Sequence, residues 1–110
     1  MKTQDAFAAL DIRVGKIIAV SLLPNPRYTT HKLTIDLGPE IGQKTSGARV
    51  LNYTQEELMG KLVLCVINLP PKQIGGTMSE VLTLGVPDAG HECVLISPDN
   101  EKAVIGGKLY

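Results

Sequence analysis

The chain is poor in aromatic residues: one Phe, three Tyr and no Trp among 110 residues. A protein that stacks successive unpaired bases needs a supply of aromatic platforms, each worth about 1–3 kcal/mol. Phe7, Tyr28, Tyr53 and Tyr110 do not supply it, and none lies in a clear core strand of the sequence pattern. An excess of either charge is also missing. Eleven Lys and Arg balance eleven Asp and Glu, which argues against a surface that grips nucleic acid over its whole extent. The only two cysteines, Cys65 and Cys93, sit in apolar runs and read as buried reduced thiols, too few for a disulfide framework. The longest uninterrupted apolar run is Leu62 to Ile67, far short of the roughly 20 residues of a membrane span. Residues Met1 to Leu10 include Asp5 and lack the apolar core of an export signal. A soluble, cytoplasmic protein without membrane insertion is expected.

What is present describes a folded domain. Hydrophobic residues make up 44% and charged residues 20%, a globular balance that rules out a disordered tail. The length suits one domain, residues 1–110, which buries somewhat more than roughly 60% of its unfolded surface and needs no metal or disulfide staple. The charge is unevenly spread: residues 1–55 carry seven basic and four acidic side chains, residues 56–110 four and seven. One face can therefore be mildly basic despite the neutral total.

The local pattern is mostly β. Thr3 is placed to cap a short helix through Leu10, with Phe7 and Leu10 spaced for one buried face. From Asp11 to Leu23 runs a long strand in which Ile12, Val14, Ile18, Val20 and Leu22 share one parity. Gly15 marks a bend where such a strand can serve two sheets. Pro24 and Pro26 end it. Leu33, Ile35 and Leu37 alternate with Lys32, Thr34 and Asp36 in a second strand, and Gln43 to Leu51 forms a third with Gly47 inside it. Thr54-Gln55-Glu56-Glu57 is a capping box opening a helix that Gly60 closes. Lys61 to Leu69 reads as a strand buried on both sides and stopped by Pro70-Pro71. Gly75-Gly76 makes a loop, Ser79 to Leu84 a fifth strand, Glu92 to Ser97 a sixth, and Ala103 to Tyr110 an apolar tail. Five strands with a short helix between the third and fourth is the order of an all-β, five-stranded OB-fold barrel, here with N- and C-terminal extensions. Other small barrels share that pattern.

Two blocks carry a family resemblance. Asp11-Ile12-Arg13-Val14-Gly15-Lys16-Ile17 resembles the opening strand of the tRNA-binding domain family. Asn68-Leu69-Pro70-Pro71-Lys72-Gln73-Ile74-Gly75-Gly76-Thr77-Met78-Ser79-Glu80 resembles its Asn-bearing turn, basic loop and Ser-Glu pair. Lys32 to Gly38, Glu40-Ile41-Gly42, Tyr53 and Glu80 to Gly85 look most like the CsaA export-chaperone branch. The resemblance implies an OB fold, a homodimer built partly outside the barrel, tRNA as a partner through its folded elbow, and unfolded preproteins as further partners. No cofactor, metal or catalysis is implied.

Physical reasoning then singles out the residues able to act. Pro70-Pro71 stiffens the chain and removes two N–H donors, so Lys72 and Gln73 project from a rigid corner. Gly75 and Gly76 let backbone N–H groups approach a phosphate. Relatives typically place two basic residues in succession there. Neutral Gln73 removes one, which lowers the expected salt dependence by about one unit of slope. Asn68 and Ser79 are candidate hydrogen-bond donors to RNA, while Asn68 equally suits satisfying loop N–H groups and Glu80, which repels phosphate, suits that structural role better. Lys32 matches a basic position of the family, and Lys16, Arg13 and Arg49 extend the candidate surface. Scarce aromatics direct recognition towards RNA shape and backbone rather than splayed bases. Phe7, Leu109 and Tyr110 are the candidates for the dimer contact. His31 and His91 show no metal-ligand spacing, and His31 reads as a solvated loop residue. No nucleophile elbow, phosphate-cradling Walker loop or dinucleotide fingerprint occurs.

Overall fold

In the computed structural model, which describes residues 1–23 and 30–110, the apolar run after Asp11 forms one long strand, β1 (Ile12–Leu23). Pro24 and Pro26, expected to end it, and Tyr28 lie outside the described residues. β1 uses both of its edges. Residues 12–16 pair antiparallel with β4 (Leu62–Val66), and residues 16–23 with β2 (Thr30–Asp36). β2 pairs onward with β3 (Gln43–Ala48), and β4 with the two-residue β7 (Leu82–Thr83), giving a five-stranded sheet in the order β3-β2-β1-β4-β7.

The sheet curls until its two edges meet. The amides of Glu80 and Val81 donate to the Thr45 carbonyl at 2.8 and 3.3 Å, and the Thr83 hydroxyl donates to Ser46 Oγ at 2.7 Å. The all-β, OB-like barrel is the architecture observed. Its core is Ile17, Leu33, Ile35, Leu37, Val50, Leu58, Val63 and Cys65, each without solvent exposure. Leu58 belongs to α2 (Gln55–Leu58), where Thr54 and Glu57 form the capping box that the sequence announces.

Several boundaries differ from the sequence reading. β1 does not keep one inward parity: its register shifts between Ile17 and Ala19, so Gly15 and Ile17 face the core below the bulge and Val20 packs against it above. Ile18 is only half-buried. An inserted residue reverses the alternation, which a period-2 count cannot foresee. The third strand stops at Ala48 rather than Leu51. The expected fifth strand divides: Thr77–Ser79 is β6, paired with β5 (Lys72–Ile74) in a hairpin, and only Leu82–Thr83 joins the main sheet. A further hairpin joins β8 (Gly85–Pro87) to β9 (Cys93–Leu95).

The C-terminal extension is tied to β1. The tail lies along the edge of β1 that β2 leaves open: Val14 N donates to Gly107 O, Gly106 N to Val14 O and Leu109 N to Ile12 O, at 2.7–2.9 Å. The helix α1 (Thr3–Ala9) has Lys2, not Thr3, at its cap position, and no side chain caps it. It buries none of its residues, so the predicted inward face is absent; Phe7 is 49% exposed.

Candidate nucleic-acid interface

Inward Leu33 and Ile35 fix the opposite face of β2 as Lys32 and Thr34. Directly opposite Lys32 on β3 is Gly47. A Cβ at Gly47 would sit 3.0 Å from Ile74 Cβ and 3.2 Å from Thr77 Cγ2. The β5–β6 hairpin therefore lies on the outer face of the barrel, across the position where β3 has no side chain. Its tip is seated further along: a Cβ on Gly75 would overlap Thr30 Oγ1. Thr30 starts β2 on the same face as Lys32.

Hydrogen bonds hold the hairpin from below. Gly47 N donates to Ser79 Oγ at 3.0 Å, and the Ser79 hydroxyl donates to Val81 O at 2.7 Å. Thr45 supplies the rest, its hydroxyl bonding the Met78 carbonyl and Glu80 Oε1 (both 3.0 Å) and its amide donating to Glu80 Oε1 (2.9 Å). These bonds, backbone first, hold the Glu80 carboxyl below the usual carboxylate range. The turn has positive φ at Gly75 (57°) and not at Gly76, as a two-residue hairpin with glycine in its first position requires. Pro70, Pro71, Lys72 and Gln73 are all exposed, with Gln73 Nε2 donating to the Gly75 carbonyl at 3.2 Å.

The structure thus brings Lys32, Lys72, Gln73, Gly75 and Gly76 onto one side of the barrel. Ser79 and Asn68 do different work. Ser79 is buried, and its hydroxyl is engaged twice inside the molecule. Asn68 braces the N-terminal segment, accepting from Asp11 N at 2.9 Å and donating to Ala9 O at 2.8 Å. No hydrogen bond joins Asn68, Ser79 and Glu80 to one another among the described residues.

The outlying cations divide likewise. Arg13 pairs with Asp11 at 2.6 Å and donates to Gly106 O at 3.0 Å, clamping the tail. The bond between Arg13 and Asp11 is the main cause that raises the Arg13 pKa and lowers that of Asp11. Lys16 lies about 20 Å along β1 from the end where Thr30 pairs with Leu23. Arg49 is exposed, one residue beyond the end of β3 nearest the hairpin tip. His31 is corrected outright: it is a strand residue, 5% exposed, between Leu22 and Ala48. The residues that sequence reasoning missed are Thr30, Thr45 and Gly47, the seat of the hairpin. A glycine inside a strand was the available signal, since it marks a close backbone approach.

Nucleophilic chemistry has no foothold at the cysteines. Burial pushes the Cys65 thiol up to about 11 and raises that of Cys93, so neither is an activated thiolate. No group of three potential metal-ligating side chains occurs among the described residues. None of the described helices is long and apolar enough to cross a membrane.

Residues 12–106 match the family described as "Putative tRNA binding domain". The chain belongs to the tRNA-binding domain family. It is 40% identical over 97 residues to a methionine–tRNA ligase of Thermococcus kodakarensis, a match spanning 88% of this chain and 13% of the ligase. The corresponding enzyme of Pyrococcus horikoshii is 40% identical over 103 residues, 94% of this chain and 14% of that one. The chain thus spans about an eighth of the length of these ligases. Among solved structures, the CsaA chaperone protein of Picrophilus torridus is 39% identical with a TM-score of 0.90, and both chains are covered completely. The CsaA chaperone of Bacillus anthracis is 38% identical with a TM-score of 0.87, over 100% of this chain and 99% of that one.

Proposed function

We propose that this member of the tRNA-binding domain family is a non-catalytic, homodimeric tRNA-binding protein of the CsaA type that reads folded RNA through its backbone and shape. The observation that carries the reading is the hairpin seated on the outer face of β2 and β3. That hairpin carries Lys72, Gln73 and the Gly75-Gly76 amides, and it crosses β3 at Gly47, the residue paired with Lys32. The corresponding face and the loop between the last two barrel strands are where OB folds take oligonucleotides. A few cations with backbone donors suit phosphates, which fix position rather than sequence.

Lys72→Ala should weaken tRNA binding about three- to tenfold near 100 mM salt and flatten the log–log salt slope by about 0.9. Fluorescence anisotropy with labelled tRNA at several salt concentrations measures both. A slope that Lys72→Ala leaves unchanged would remove the hairpin from the interface.

For the homodimer, Phe7 on a helix with no buried residue and the exposed Leu109 and Tyr110 form the contact. Deleting residues 1–9 should shift the sedimentation coefficient from that of a dimer towards a monomer. A dimer that persists would discard the N-terminal contact.

A second reading, a chaperone for unfolded polypeptides such as preproteins, is favoured by one feature. An apolar cleft of about 240 Å³ lies beside the hairpin, lined by Leu69, Pro70, Ile74, Val81 and Leu82 with Lys72 and Glu80 among its polar residues. Suppression of client aggregation that Lys72→Glu leaves intact would favour this role over RNA binding.

A further inference from the structure

His31 is a buried titratable side chain that RNA contact leaves unused. Its Nδ1 is buried without a hydrogen-bond partner among the described residues. The side chains opposite it, Leu22 on β1 and Ala48 on β3, offer neither charge nor acceptor. Lys32, next in the strand, points to the other face, and Arg49 lies one residue beyond β3. Burial lowers the pKa of the ring.

A neutral imidazole protonated on Nε2 tolerates this site, because Nδ1 is then only an unused acceptor. A charged one does not. Nδ1 acquires a proton that no described residue accepts, and the positive charge sits on a histidine only 5% exposed to water. Thr30, immediately before His31, is the residue on which the hairpin tip rests, and Lys32 follows it.

We propose that His31 is a proton-operated release for the RNA-contacting hairpin: charging it displaces the start of β2, unseats Gly75 from Thr30 and weakens RNA binding. This rests on the tRNA-contact reading above. Because the folded state holds the proton less tightly than a free imidazole, the seated form is fully favoured above the ordinary histidine value of about 6.5. It loses stability as pH falls below that value, down to the lowered folded one. A surface histidine has the opposite effect, since its charge attracts phosphate and tightens binding in acid. His91, the other histidine, is exposed in the β8–β9 turn.

The test uses the full chain with labelled tRNA at constant ionic strength from pH 7.5 to 5.5. Wild-type affinity should fall at least threefold, within the limit of about tenfold per pH unit set by one proton. The fall should persist in His91→Gln and vanish in His31→Leu. Affinity that is constant or rises in the wild type, or that still falls in His31→Leu, overturns the proposal. Should His31→Leu not fold, the wild type decides alone, by NMR titration of the His31 ring and hydrogen-exchange protection of residues 72–79. Coincident midpoints support the release mechanism, and separate midpoints refute it. Absence of tRNA binding at pH 7.5 would instead refute the RNA reading, leaving the exchange midpoints to decide the coupling of His31 to the hairpin.

Discussion

Gly47→Val should weaken tRNA binding by about tenfold or more while the barrel stays folded. Even the first added carbon would lie 3.0 Å from Ile74 Cβ and 3.1 Å from its Cγ2. Ile74 is β-branched and half-buried, so it yields less easily than a long flexible side chain. The hairpin must then lift from the outer face, carrying Lys72 and Gln73 away from Lys32. A misplacement of about 1 Å is enough to spoil a preset constellation of contacts. The core is on the opposite side of the sheet, so overpacking here should cost only about 1–3 kcal/mol. Gly47→Ala should lie between wild type and Gly47→Val in both respects. Anisotropy titrations paired with circular-dichroism melts separate the two effects. If affinity is unchanged although Gly47→Val melts early, the seat of the hairpin is structural and has no bearing on RNA.

The largest loss of stability is expected at Gly15→Ala. Its new methyl would overlap Ile35 Cγ2 and approach Leu37 Cδ2 to 3.0 Å, and both residues have no solvent exposure. Close-packed interiors do not absorb an extra carbon. A cost of about 3 kcal/mol, at the upper end of the usual overpacking range, is expected. In a domain of this size that lowers the melting temperature by roughly 12–24 °C, at about 4–8 °C per kcal/mol. Ile35→Ala removes the colliding atom, so Gly15→Ala should be much milder in that background. Strict additivity in this double-mutant cycle would show that the strain arises elsewhere.

Gly15 and Gly47 also mark how far sequence reading reached. Both could be noticed as glycines inside strands, and Gly15 was expected to let β1 serve two sheets. The structure assigns the two neighbours of β1 to its opposite edges and puts the register shift three residues on, between Ile17 and Ala19. Local patterns were readable where their causes are local. The capping box at Thr54 and Glu57 needs only residues three apart, and the inward Leu33, Ile35 and Leu37 need only alternation. The exposed corner at Pro70-Pro71 follows from ring closure at proline.

The roles of Ser79, Arg13 and His31 and the particular partners of Asn68 were not readable, because each depends on what long-range folding sets beside it. Ser79 meets Gly47, Asn68 meets Asp11, and Arg13 meets the Gly106 carbonyl, partners 32, 57 and 93 positions away. By itself the amino-acid order determined an all-β chain, its capped helix, its inward stripe and a stiff basic corner, since propensity, periodicity and ring geometry act between near neighbours. Only the tertiary structure decided which polar groups face outward: curling the sheet until β3 meets residues 80–83 turned several of them into internal ties and left Lys32 and Lys72 on the open side.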